Sequence, residues 1–136
     1  MEKIHFEWKK EYSVNVDEID SQHKELIKIV DDLYQSIMEK SSGDIIAKTL
    51  KKLNDYSKYH FGTEEKYFKE FNYKDMAGHT AEHKKFEEDI LGMTELANND
   101  KLDVFELLFY LENWWINHIL NSDKKYSEFF NEKGLH

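Results

Sequence analysis

From Ile19 to Phe130 apolar residues recur at helical spacing in four successive stretches, and the chain contains no proline to break any of them. In the first stretch Ile19, Leu26, Ile29, Val30, Leu33 and Ile37 share a face, which predicts a helix from about 19 to 40 with Asp17 or Asp20 as its cap. Ser41-Ser42-Gly43-Asp44 ends it. The second stretch runs from Asp44 to about Phe71 through Ile46, Leu50, Leu53, Tyr56, His60, Tyr67 and Phe68, and Asn72 interrupts it. A third, from 76 or 79 to Ala97, stops at Asn98-Asn99-Asp100. The fourth spans about Leu102 to Phe130, with Leu102, Phe105, Leu108, Leu111, Trp115, Ile119 and Tyr126 down one side. Long helices joined by short loops bury their stripes by packing side by side. The expected fold is therefore all-α, an up-down-up-down antiparallel four-helix bundle.

Before the bundle, Ile4, Phe6, Trp8, Tyr12, Val14 and Val16 alternate with mostly polar neighbours, as in an extended N-terminal arm that lays its even-numbered face on the body. Without a repeat or linker, 1–136 reads as a single domain, the arm at 1–17 and the bundle at 18–132. The chain carries 28 acidic and 19 basic residues, a net charge of −9 that repels phosphate backbones and anionic lipid. Neither nucleic acid nor a membrane is an expected partner. The start, MEKIHFEWKK, holds no apolar run fit for a leader, and Leu107 to Leu111 is far too short to span a bilayer, so a cytoplasmic monomer is expected.

The absence of cysteine excludes thiolate metal sites, iron–sulfur clusters and disulfides, so any metal must be held by histidine and carboxylate. Five of the seven histidines fall within the helices at positions expected to face the core. The first helix offers His23, the second His60 with Glu64, the third His79 with His83, and the fourth His118 with Asp123. Residues four apart lie one turn above each other on a helix, so His60/Glu64 and His79/His83 each aim two donors at one point. One such pair is commonplace on an amphipathic helix. Five imidazoles and two carboxylates buried together without a metal would instead leave many polar groups unsatisfied, at a cost of about 1–3 kcal/mol each. That donor set suits Fe, Mn, Zn or Co and is too large for one ion, which points to two metals bridged by carboxylates. His118 and Asp123 fit least well, because five residues along an ideal α-helix turns them about 140° apart.

The segments Ile19-Asp20-Ser21-Gln22-His23-Lys24-Glu25-Leu26, His60-Phe61-Gly62-Thr63-Glu64-Glu65, His79-Thr80-Ala81-Glu82-His83-Lys84-Lys85-Phe86 and Trp114 through Asp123 resemble, in chain order, the metal-binding motifs of hemerythrins. The arm from Trp8 through Val16 is similar to the bacterial branch, the bacteriohemerythrins. The resemblance implies that His79, His83 and His118 cap one iron and that His23 and His60 hold the other with a position open. Glu64, Asp123 and an oxo or hydroxo group would bridge the two, and dioxygen would bind reversibly at the open position. By position, Leu26, Trp114 and Ile119 would line the oxygen pocket, with Phe61 and Trp115 as further members. The high aromatic content, 15% of residues, suits a dry wall that slows autoxidation. The implied role is an oxygen carrier, store or sensor rather than an enzyme. The alternative is a peroxidase or oxidase, or detoxification of nitric oxide or iron.

Two positions depart from the family's pattern, Asn15 where glycine is common and Phe68 where methionine is frequent. His5 and His136 lie outside every motif and are expected on the surface, and Lys48, Lys51 and Lys52 form a solvated helix face.

Overall fold

The computed structural model describes residues 6–39 and 44–136. Ile4 of the arm, the expected surface residue His5 and the helix-ending Ser41-Ser42-Gly43 lie outside these residues. Helix α1 is Asp17–Met38, α2 is Asp44–Phe71 and α3 is Met76–Asn98. The fourth helical arm is composite: α4, Val104–Trp114, passes into a π-helical segment, Trp115–Asp123, then a 3-10 turn, Lys124–Tyr126, and a last helix, α5, Ser127–Glu132. Among the described residues there is no strand, and no helix is long and apolar enough to cross a membrane. The helices pack antiparallel: Tyr67 near the end of α2 donates to Glu18 at the start of α1, and His83 of α3 meets Glu65 of α2. Tyr110 of α4 donates to Asp89 of α3. This is the expected four-helix bundle.

Local chemistry sets the boundaries. Asn72 and Asp100 take left-handed backbone, with φ of 56° and 55°, which asparagine and aspartate tolerate better than most residues, and these turns follow α2 and α3. Asp103 caps α4, its carboxylate accepting from the Phe105 amide at 2.9 Å, so the fourth helix starts at Val104 rather than Leu102. Neither Asp17 nor Asp20 caps α1. Its N-cap is Val16, which has no side-chain acceptor, and Asp20 turns instead to the arm, taking the Ser13 hydroxyl and the Val14 amide at 2.8 Å. Asp17, in the first turn, still meets the positive end of the helix favourably.

The arm is not extended throughout. A 3-10 turn at Lys10–Tyr12 interrupts it. Its even face nevertheless packs inward, with Val14 and Val16 fully buried and Phe6, Trp8 and Tyr12 half-buried. Asn15 has φ of 58°, which explains why a glycine suits this position and why asparagine can replace it. Ser127 and Asn131 of α5 bond the carbonyls of Val14 and Asn15, tying the arm to the far end of the chain.

Two apolar clusters fill the interior. One gathers Leu26, Val30, Leu33, Leu53, Phe86 and Leu111 with their neighbours. The other gathers Val14, Val16, Ile19, Phe68, Tyr126 and Phe130, so Phe68 is a packing residue where the arm meets α5. Along α1 the two clusters are separated by His23, along α2 by Glu64 and along the fourth arm by Asp123, with His60 and His118 at the near edge of the larger cluster.

Candidate metal centre

All seven residues singled out in the sequence converge in the layer between the apolar clusters, and none is more than 4% exposed. Asp123 is the hub. Its Oδ2 lies 2.9 Å from His23 Nε2 and 3.6 Å from His60 Nε2, while its Oδ1 lies 2.8 Å from His79 Nε2 and 3.0 Å from His118 Nε2. Glu64 faces three imidazoles, with Oε1 3.2 Å from His60 Nε2 and 3.0 Å from His83 Nε2, and Oε2 3.5 Å from His79 Nε2. Two metal-sized groups result: Glu64, His79, His83, His118 and Asp123, and a smaller one of His23, His60 and Asp123.

The π-helical segment is what admits Asp123. An i→i+5 repeat returns a residue to the face of its fifth predecessor, whereas an α-helix would carry it about 140° away. His118 and Asp123 therefore both point inward from one segment.

An outer layer, not anticipated from the sequence, orients the imidazoles. His60 Nδ1 lies 2.6 Å from Gln22 Oε1, to which it donates when Nε2 faces the site, and Gln22 is itself held by a 3.1 Å bond to Thr63. Glu65 and Glu82 sit 3.2 Å from the Nδ1 atoms of His83 and His118, and Ser122 donates to Glu82 at 2.9 Å. Each partner fixes a ring so that Nε2 points into the site. A sequence cue existed, since Gln22 and Glu82 each precede a site histidine and Glu65 follows Glu64.

Burial and charge oppose each other here. Burial favours neutral imidazole at His60, but the charges and close approach of Glu64 and Asp123 prevail and raise its pKa to about 9. At His79 burial is likewise outweighed, first by the close approach of the Asp123 and Glu64 carboxylates, giving about 10. His118 is raised in the same way, by Asp123 above all. Burial pushes both carboxylates upward, joined at Glu64 by repulsion from Asp123, yet the surrounding imidazoles hold both well below their ordinary range.

The donor atoms themselves test whether a metal fits. Nε2 of His60, His79, His83 and His118, both Glu64 oxygens and Asp123 Oδ1 are buried with no hydrogen bond: the close approaches between them lack the required direction. Orphaned buried groups of this kind cost about 1–3 kcal/mol each, and a cation in each group satisfies them together. Imidazole and carboxylate donors, with no sulfur, suit iron and its neighbours.

Aromatic rings enclose the layer. Phe61 stacks on His83 with centroids 3.9 Å apart, and Tyr56 stacks on His60 at 5.3 Å. Leu26 and Ile119, expected in a ligand pocket, are fully buried in the larger cluster. The Trp114 ring lies flat on His118, 4.0 Å away at 12°, on the three-histidine side. Trp115 instead presents its edge to His23 at 6.0 Å. His136 and the Lys48, Lys51 and Lys52 face are exposed, as expected.

A four-helix bundle with a buried, two-group histidine and carboxylate centre shared through one aspartate defines a class of metal-binding protein. Comparison with known proteins places the chain within that class: the model for the hemerythrin HHE cation binding domain matches residues 14–130, and the chain belongs to the hemerythrin family. It is 28% identical over 126 residues to a bacteriohemerythrin of Clostridium acetobutylicum, covering 89% of this chain and 98% of that protein. A hemerythrin-like protein of Naegleria gruberi is 31% identical over 121 residues, covering 89% and 90%. A crystal structure of wild-type hemerythrin superposes with a TM-score of 0.79 at 29% identity, covering 89% of this chain and 94% of that one.

Proposed function

We propose that this protein binds dioxygen reversibly at a di-iron centre, as a carrier, store or sensor without turnover. The observation that carries the reading is the asymmetry of the two groups. Three histidines face one, only His23 and His60 face the other, and Asp123 joins them. In this reading His79, His83 and His118 would hold one iron and His23 and His60 the second, with Glu64 and Asp123 shared between them. When bound, the two irons supply the electrons that hold dioxygen and recover them on its release.

The chain's own residues serve retention rather than turnover. Gln22 holds His60 by its outer nitrogen, and Glu82, braced by Ser122, sits at the outer nitrogen of His118, so the rings resist displacement. Leu26 and Ile119, with Trp114, Phe61 and Trp115 in the surrounding aromatic wall, exclude water and the protons it would bring. Tyr56 is the phenol stacked on His60, and burial, then the nearby carboxylates, hold its pKa well above 10, so it keeps its proton at neutral pH.

Protein produced in iron-replete medium should contain two irons per chain. Air exposure of its reduced form should produce a visible absorption band that disappears under vacuum. Zinc-only or single-metal loading, or steady consumption of dioxygen or peroxide beyond one equivalent with reductant present, would overturn the proposal.

A further inference from the structure

The seven donor residues of the metal layer are at most 4% exposed, so an ion arriving from solvent has to cross a packed wall to reach them. A bare cation in an apolar interior is very costly, and its water ligands must be exchanged for protein oxygens on the way. Between α1 and α2 a solvent-open depression of about 340 Å³ offers such oxygens. It is lined by Glu25, Lys28 and Asp32 of α1 and by Lys52, Asp55 and Tyr56 of α2. Among the described residues its three carboxylates make no ion pair and no hydrogen bond, not even to the two lysines beside them.

Tyr56 is the inner wall of this depression. Its ring stacks on His60, 5.3 Å away and 17° from parallel, and its hydroxyl is buried without a hydrogen-bond partner among the described residues. The residue is 3% exposed. After burial itself, the influences on that hydroxyl are the charges of Asp123 and Glu64 in the metal layer and of Glu25 in the depression, so it stands between the two. A buried hydroxyl with no partner is unfavourable, and an oxygen donor on the way to His60 is what it supplies.

We propose that this depression is the port by which ferrous ion enters the protein, with Glu25, Asp32 and Asp55 collecting the hydrated ion and the Tyr56 oxygen passing it to His60 and His23. The inference rests on the di-iron reading above, which names the ion. Only ligands are exchanged: water leaves, protein oxygens and then imidazoles replace it, and the ion keeps its oxidation state.

The other openings suit a cation less well. In the depression beside Trp114, Glu82 is committed to His118 and Ser122, and Asp89 to Lys85 and Tyr110. The cleft beneath the arm is walled mainly by apolar side chains, among them Phe6, Ile27, Val30 and Leu111. The largest groove, about 700 Å³, runs between α2 and α3 near Asn98 and touches no histidine of the site.

The test is anaerobic stopped-flow loading of the metal-free protein with Fe(II) at low salt, read by proton release to an indicator dye, with final metal content by emission spectrometry. Neutralising the three carboxylates leaves the two lysines facing the ion, so the triple variant Glu25→Gln/Asp32→Asn/Asp55→Asn should load about tenfold more slowly yet reach the same two irons per chain. Added salt should slow the wild type and change the triple variant little. Tyr56→Phe keeps a ring over His60 but removes the oxygen, and should slow loading about fivefold. Glu87→Gln/Glu88→Gln/Glu95→Gln, at exposed positions of α3, changes the net charge equally and should load at the wild-type rate. An unchanged rate in the first triple variant or in Tyr56→Phe, equal slowing by the α3 variant, or a lower final iron content in the first triple variant would each overturn the port. Zinc-only or single-metal loading overturns the di-iron reading instead, and the same rates measured with Zn(II) still decide the port.

Discussion

Loading the metal-free protein should release protons, and the amount follows from the site. Without metal, His60 and His79 titrate near 9 and 10, so both are almost fully protonated at pH 7.5. A metal ligand must be the neutral imidazole, so each ion displaces protons as it binds. Displacing two makes metal affinity rise about 100-fold per pH unit between roughly pH 7 and 9, at about 1.4 kcal/mol per proton per unit. The folded protein without metal shows the opposite trend. These imidazoles titrate above their unfolded value of about 6.5, so their contribution to folding is complete below that pH and fades as pH rises through about 9 to 10. For His60 alone the contribution lost is about 3 kcal/mol. Anaerobic Fe(II) titration in weak buffer with an indicator dye should register about two protons or more per chain. Thermal melts should show the metal-free midpoint falling from pH 6.5 toward 9.5 while the loaded protein holds its own. Proton release well below one per chain, a pH-independent affinity or a metal-free midpoint that rises with pH would refute the electrostatic account of the site.

Metal content by emission spectrometry should fall in His118→Ala and stay at the wild-type level in His136→Ala, whose side chain is exposed; equal contents would contradict the assignment. Gln22→Ala frees the His60 ring and should weaken metal binding by about 10- to 100-fold, measured by competition with a chelator. Leu33→Ala, at a fully buried position in the larger cluster, should cost about 2–5 kcal/mol in denaturant unfolding without changing metal stoichiometry. Asn15→Gly should be near neutral in stability, whereas Asn15→Val should cost about 1–2 kcal/mol, because a branched residue resists the left-handed backbone.

Much of this protein was legible in the order of its residues. Apolar spacing and the absence of proline specify four helices, because a 3.6-residue repeat is a local property of the chain. The pairs His60/Glu64 and His79/His83 were equally readable, since one turn of α-helix fixes which side chains share a face. Helix contacts and irregular backbone decided the rest. Asp123 faces His118 only because the fourth arm passes into a π-helical segment, a change in pitch that the residue pattern does not announce. Asp20 was expected to serve its own helix and instead anchors the arm, because folding brings the Ser13 hydroxyl and Val14 amide to it. The position of Trp114 over His118, and of Gln22 and Glu82 at the outer nitrogens, likewise depends on which helices meet. Local periodicity determines which side chains a helix offers inward; the packing of one helix against another determines which atoms those side chains meet.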